Sequence, residues 1–188
     1  MTLAPEITAE RIAALAARLD RPVVLVGLMG AGKSTVGQRL AALLGTGFVD
    51  SDTAIEDAAR RSVGEIFETF GEPSFRDGER RVIARLIAEG HGVIATGGGA
   101  FANGETRALI LQRAIAVWLD CDIPTLVART RRRDTRPLLR NGDAGEILAR
   151  LHAERGPAYA RAPIRVETGA LPHHQTALRI VEAIEQWL

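Results

Sequence analysis

Eight residues, Gly27-Leu28-Met29-Gly30-Ala31-Gly32-Lys33-Ser34, constrain this chain more than any others. They follow an apolar run, Val23-Val24-Leu25-Val26, and precede Val36, Leu40, Leu43 and Leu44 at helical spacing. The pattern Gly-x4-Gly-Lys-Ser between a strand and a helix is what a phosphate-binding loop requires. Glycines allow successive backbone N–H groups to turn inward around an anion, and the helix behind adds its positive end. Lys33 is placed to reach the β- and γ-phosphates of a nucleotide, and the Ser34 hydroxyl to ligate Mg²⁺. By average residue usage the string arises by chance on the order of once per hundred chains of this length. Lysine plus arginine totals 24, and Lys33 is the only lysine. A compact ammonium, not a planar guanidinium, is what this loop needs.

The 188 residues suit one domain. The formal net charge of +1 gives no general reason to expect a nucleic-acid or membrane partner. One cysteine, Cys121, excludes an intrachain disulfide and a cysteine-based metal cluster. No apolar run approaches the roughly 20 residues of a membrane span. The N-terminus lacks a signal-peptide core and carries Glu6, Glu10 and Asp20. A cytoplasmic monomer acting on a small molecule is the expectation.

Residues 1–21 read as a helical extension, with Thr8 as N-cap and Ile12, Leu15, Ala16 and Leu19 on one face. Strand one is expected at about 22–27, with the loop helix reaching Leu44, where Gly45 and Gly47 stop it. Phe48-Val49 leads into Asp50-Ser51-Asp52, a strand whose acids lie at the ligand edge of a parallel sheet. Either Asp50 holds Mg²⁺ through water and Asp52 a substrate hydroxyl, or one of them caps a helix starting near Thr53.

Ser62 and Glu65 form a capping box for a short helix over 63–71 carrying Phe67 and Phe70. Gly71-Glu72-Pro73 breaks the chain before a longer helix from Ser74. Arg76 falls in the first turn of that helix, where the dipole disfavours a cation. Its position there points to a ligand anion or a buried partner. Glu79, three residues on, can orient it.

Val93 to Thr96 is strand three, running into Gly97-Gly98-Gly99, which let a ligand approach bare backbone. A helix is expected over about Glu105–Arg113. Strand four is Ile115–Leu119, and a helix follows from Ile123. About 131–142, including Arg136, is arginine-rich and interrupted by Pro137 and Gly142. It suits a mobile lid that brings arginines onto phosphates. A helix over Ala144–Ala153, strand five at Ile164–Glu167 and a final helix after Pro172 complete the chain.

Strand–helix alternation predicts an α/β fold, a five-stranded parallel sheet between helix layers. Aspartates bind hydroxyls and arginines grip carboxylates. The acceptor is therefore expected to be a small hydroxylated acid.

Gly27 to Ser34, Asp50-Ser51-Asp52, Phe75-Arg76-Asp77-Gly78-Glu79, Gly97-Gly98-Gly99, Arg136-Pro137-Leu138-Leu139 and Arg155-Gly156-Pro157-Ala158-Tyr159 together resemble the shikimate kinase family, from about residue 22 onward. The resemblance implies a P-loop kinase of the nucleoside-monophosphate-kinase-like fold that uses ATP and Mg²⁺ on the 3-hydroxyl of shikimate. It implies catalysis by Lys33, Asp52 and Arg136, and ATP held by Gly30, Ala31, Gly32, Lys33, Ser34, Thr35, Arg129 and Arg136. Shikimate would lie among Asp52, Arg76, Gly97, Gly98, Gly99, Arg155, Phe67 and Phe75, with Mg²⁺ on Ser34 and, through water, Asp50. Lid closure would exclude water from the reacting phosphate. A gluconate kinase, and a nucleotide-binding protein without catalysis, remain the alternatives. An RNA-binding module using the lid arginines is a weaker one, because aromatics do not interleave with them.

Overall fold

The computed structural model describes residues 7–90, 92–131, 142–169 and 171–188. Five strands form one parallel sheet: β1 (Val23–Val26), β2 (Phe48–Asp50), β3 (Val93–Ala95), β4 (Ile115–Asp120) and β5 (Ile164–Glu167). Their order is β2-β3-β1-β4-β5. β1 pairs Val23 with Val93 on one side and with Ile115 on the other. Every β1 residue is buried, as a central parallel strand covered on both faces demands. That explains an unbroken Val/Leu run where a half-exposed strand would alternate.

Helices α1 (Ala9–Arg18), α2 (Lys33–Leu44), α3 (Ser51–Ala59), α4 (Val63–Ala88), α5 (Gly104–Arg113), α6 (Ile123–Arg131), α7 (Ala144–Tyr159) and α8 (His173–Trp187) surround the sheet. The expected caps are present. Thr8 accepts from the Arg11 N–H, Gly45 ends α2 in the left-handed conformation, and Ser62 and Glu65 close a full capping box. The N-terminal extension is an integral part of the packing. Leu15 is 1% exposed, and Arg11 reaches Glu185 of α8 at 2.5 Å.

Three boundaries differ from the sequence reading. α3 starts at Ser51, not near Thr53, because the Asp50 side chain accepts from the Asp52 N–H at 3.0 Å. The expected break before Arg76 is a kink at Gly71 (φ 78°, ψ 168°) inside α4. The second segment resumes directly at Glu72, with Pro73 in its first turn, where no N–H is needed. Arg76 therefore stands in the second turn, beyond the strongest pull of the dipole. α7 continues six residues past Ala153, through Pro157 to Tyr159. Tyr159 is fully buried there, so packing overrides the expected stop.

Most of the lid at about 131–142, and Arg136 with it, lies outside the described residues.

Candidate active site

The carboxyl ends of β1, β2 and β3 open onto one cleft of about 550 Å³. β1 delivers the phosphate loop. Gly27, Gly30 and Gly32 all adopt positive φ, which side chains resist. Lys33 begins α2 and is 8% exposed, its Nζ donating to the carbonyls of Gly27 and Leu28 at 2.8 Å each. The ammonium thus spans the loop from beneath. An arginine there would bring a larger, planar fork in place of a compact point charge.

The end of β2 and the start of α3 deliver two acids with different surroundings. The Ser34 hydroxyl donates to Asp50 Oδ2 at 2.6 Å, while Asp50 Oδ1 caps α3. One oxygen of Asp50 therefore caps the helix while the other faces the Ser34 hydroxyl. Asp52, in the first turn of α3, faces the cleft. Burial pushes its carboxyl above the ordinary aspartate value, and the negative charge of Asp50 adds to this, against the pull of Lys33 and Arg76. A carboxylate held this way is a better proton acceptor than one in water.

α4 delivers Arg76. Its Nη1 donates to Glu79 Oε2 at 2.7 Å, and Nη2 lies 3.3 Å from Glu72 Oε1. The guanidinium also lies 5.2 Å from the Phe75 ring centroid and 5.9 Å from that of Phe67, the two rings being 4.3 Å apart. Glu79 is 1% exposed. Burial raises its pKa even though Arg76 opposes the shift. A buried pair of this kind contributes little stability. What it does provide is a fixed direction for the Arg76 fork.

The three glycines after β3 are needed for space as much as for flexibility. A Cβ on Gly97 would stand 2.7 Å from Asp52 Oδ1, and one on Gly99 would overlap the Arg76 guanidinium. Arg155 of α7 closes the side next to Gly98. On the opposite rim Arg129 donates to the Gly169 carbonyl at 2.8 Å and leans on those of Gly30 and Ala31 at 3.4 Å.

Fifteen of the residues singled out from sequence therefore line one cleft: Gly30, Gly32, Lys33, Ser34, Thr35, Asp50, Asp52, Phe67, Phe75, Arg76, Gly97, Gly98, Gly99, Arg129 and Arg155. Ala31 stands apart. It is buried under the loop, and its N–H donates to the Leu28 carbonyl at 3.2 Å. Sequence reasoning gave no role to Met29, Val63, Thr96 or His173, which also line the cleft. The His173 imidazole packs against Gly32, its Nε2 3.2 Å from where a Cβ would be. Its place at the head of the last helix was legible, but its approach to the loop was not. Glu79 was expected only to orient Arg76, yet its Oε1 also lies 3.2 Å from the Cβ site of Gly97, beside Asp52.

A sequence model of the shikimate kinase family matches residues 29–185. The chain belongs to the shikimate kinase family. It is 56% identical to the shikimate kinase of Novosphingobium aromaticivorans, over 97% of this chain and 96% of that one. It is 54% identical to the shikimate kinase of Caulobacter vibrioides, over 88% of this chain and 83% of that one. The shikimate kinase of Acinetobacter baumannii, solved in complex with shikimate, superposes with a TM-score of 0.85 at 36% identity, covering 95% of this chain and 98% of the other. A gluconokinase from Sinorhizobium meliloti reaches a TM-score of 0.61 at 16% identity and shares the fold. In this chain α1 lies outside the family match yet inside the Novosphingobium alignment, which leaves almost none of the chain uncovered.

Proposed function

We infer that the cleft transfers the γ-phosphoryl group of ATP to the 3-hydroxyl of shikimate. The products are shikimate 3-phosphate and ADP, in the biosynthesis of chorismate and the aromatic amino acids. One observation carries the reading. A half-buried aspartate of raised pKa and two arginines stand across a single cleft from the phosphate loop.

Each residue's role follows from its chemistry. The loop N–H groups and Lys33 hold the β- and γ-phosphates and stabilise charge on the transferring group. Gly30, Gly32 and Thr35 line the phosphate path, and Arg129 flanks the base. Asp52 accepts the hydroxyl proton as the oxygen attacks phosphorus. Arg76 and Arg155 grip the carboxylate, with Phe67 and Phe75 as the apolar wall. Arg136, in the lid, closes over the phosphates.

Mg²⁺ fits the mouth of the loop. Ser34 Oγ and an Asp50 oxygen lie 2.6 Å apart there, two hard oxygen donors of the kind this cation takes. Ser34 would bind it directly and Asp50 through water, and it would supply charge neutralisation between the β- and γ-phosphates.

Both halves of the cleft come from one chain, so the reading is of a monomer acting as one P-loop kinase domain, in the cytoplasm. No described helix is long and apolar enough to cross a membrane.

The test is ATP- and Mg²⁺-dependent ADP release with shikimate, with gluconate and with no acceptor. Release with shikimate alone is expected. Release with gluconate moves the acceptor assignment, and release equal to the blank overturns phosphoryl transfer.

A further inference from the structure

Tyr159 is the only tyrosine in the chain and is fully buried. It lies on α7 four residues after Arg155, on the same helical face. Its hydroxyl donates to the carbonyl oxygen of Gly98. Its ring leans on Trp118 of β4, the centroids 6.0 Å apart. Burial pushes the phenol up to about 12, outweighing the opposing pull of Arg155. The hydroxyl therefore keeps its proton and remains a donor across the neutral range.

A trans peptide is planar, with its carbonyl and N–H pointing in opposite directions. No described peptide is cis. Holding the Gly98 carbonyl toward Tyr159 therefore turns the Gly99 N–H the other way. Gly99 lines the cleft there, against the Arg76 guanidinium. A run of three glycines has little stiffness of its own to hold that peptide plane.

We propose that Tyr159 is a positioning residue for the acceptor carboxylate: by fixing the Gly98 carbonyl it aims the Gly99 N–H at the anion gripped by Arg76 and Arg155. The same helix carries Arg155 one turn earlier, so one anchor sets both the guanidinium and the backbone donor. The proposal rests on the acceptor reading above.

The test compares shikimate with its methyl ester, which lacks the negative charge, in wild type and Tyr159→Phe. The variant keeps the ring and loses the hydroxyl. The shikimate KM is expected to rise roughly tenfold, as for loss of a hydrogen bond to a charged group. The ATP KM should stay within about twofold, and the preference for shikimate over the ester should shrink by the same tenfold. A merely structural role would weaken both ligands alike and leave that preference intact, which overturns the proposal. A wild type without any preference for the carboxylate overturns the acceptor assignment and this proposal with it.

Should Tyr159→Phe fail to fold, 3-fluorotyrosine incorporation gives a single ¹⁹F reporter at position 159. Its resonance is expected to shift on adding shikimate and to ignore the ester. A resonance indifferent to shikimate, or moved equally by both, contradicts the proposal.

Discussion

The phosphate loop is eight consecutive residues resting on the main core, with fully buried β1 before it and Val36 and Leu40 behind. The acceptor wall is assembled differently. Asp52, Arg76, Glu79 and Arg155 come from α3, α4 and α7, and part of the wall stands on a separate small core of Ile55, Ile66 and Phe75. The first half works with backbone N–H groups and one ammonium. The second works with side-chain charges, two of which are carboxylates forced up by burial. Gripping a phosphate can be a local affair, because consecutive peptides already carry the donors. Recognising one acid among many needs charges brought together from distant parts of the chain.

This contrast predicts how the two halves respond when broken. The largest effect is expected at Asp52. Asp52→Asn should lower kcat by about 10²–10⁴-fold, the usual worth of a positioned base, and leave ATP affinity nearly unchanged. Steady-state kinetics beside nucleotide titration checks this. Affinity for ATP lost in parallel would move Asp52 to the nucleotide half.

The same variant should be more heat-stable at pH 7. A carboxyl raised by folding stabilises in its protonated form, and that stability is lost as pH rises from the unfolded value through the folded one. Near neutrality the partly desolvated charge beside Asp50 is a cost, and asparagine removes it. The wild-type acid limb of kcat should also lie above the ordinary aspartate value. A limb at or below that value contradicts the raised pKa.

On the nucleotide side, Lys33→Arg should cost about 10²–10³-fold in kcat although the charge is kept. Near-normal turnover would show that charge, not shape, decides there. A smaller effect is expected for Arg76→Lys. It retains a cation for Glu79 and loses the fork, so the shikimate KM should rise roughly tenfold while the ATP KM holds. Equal changes in both constants would erase the division between the halves.

The smallest effect is dynamic. With so small a core, α3 and the first turns of α4 should open locally at lower free energy than β1 and β4. Hydrogen exchange would show them exchanging first, slowed by shikimate more than by ADP. Uniform protection would mean that the acceptor wall is as rigid as the loop.

The same contrast explains what could be read from the residues alone. The loop, the caps at Thr8 and Ser62 and the parallel sheet rest on neighbours in sequence and were legible. Spacing alone puts the start of α3 two residues late, because Asp50 both caps that helix and faces Ser34, a double duty no spacing reveals. Gly156 and Pro157 are poor helix formers, yet α7 runs through them to the buried Tyr159. The one-turn relation between Arg155 and Tyr159 depends on that continuation. The nearness of His173 to Gly32, and of Glu79 to Asp52, depends on tertiary approach that no local pattern encodes.

The measurement closest to the central claim is phosphorus–proton correlated NMR of the completed reaction with ATP, Mg²⁺ and shikimate. The account predicts one new phosphate ester, its phosphorus coupled to the proton on carbon 3 of shikimate. An ester on another hydroxyl, or inorganic phosphate in its place, would contradict an acceptor held by its carboxylate with the 3-hydroxyl presented to Asp52.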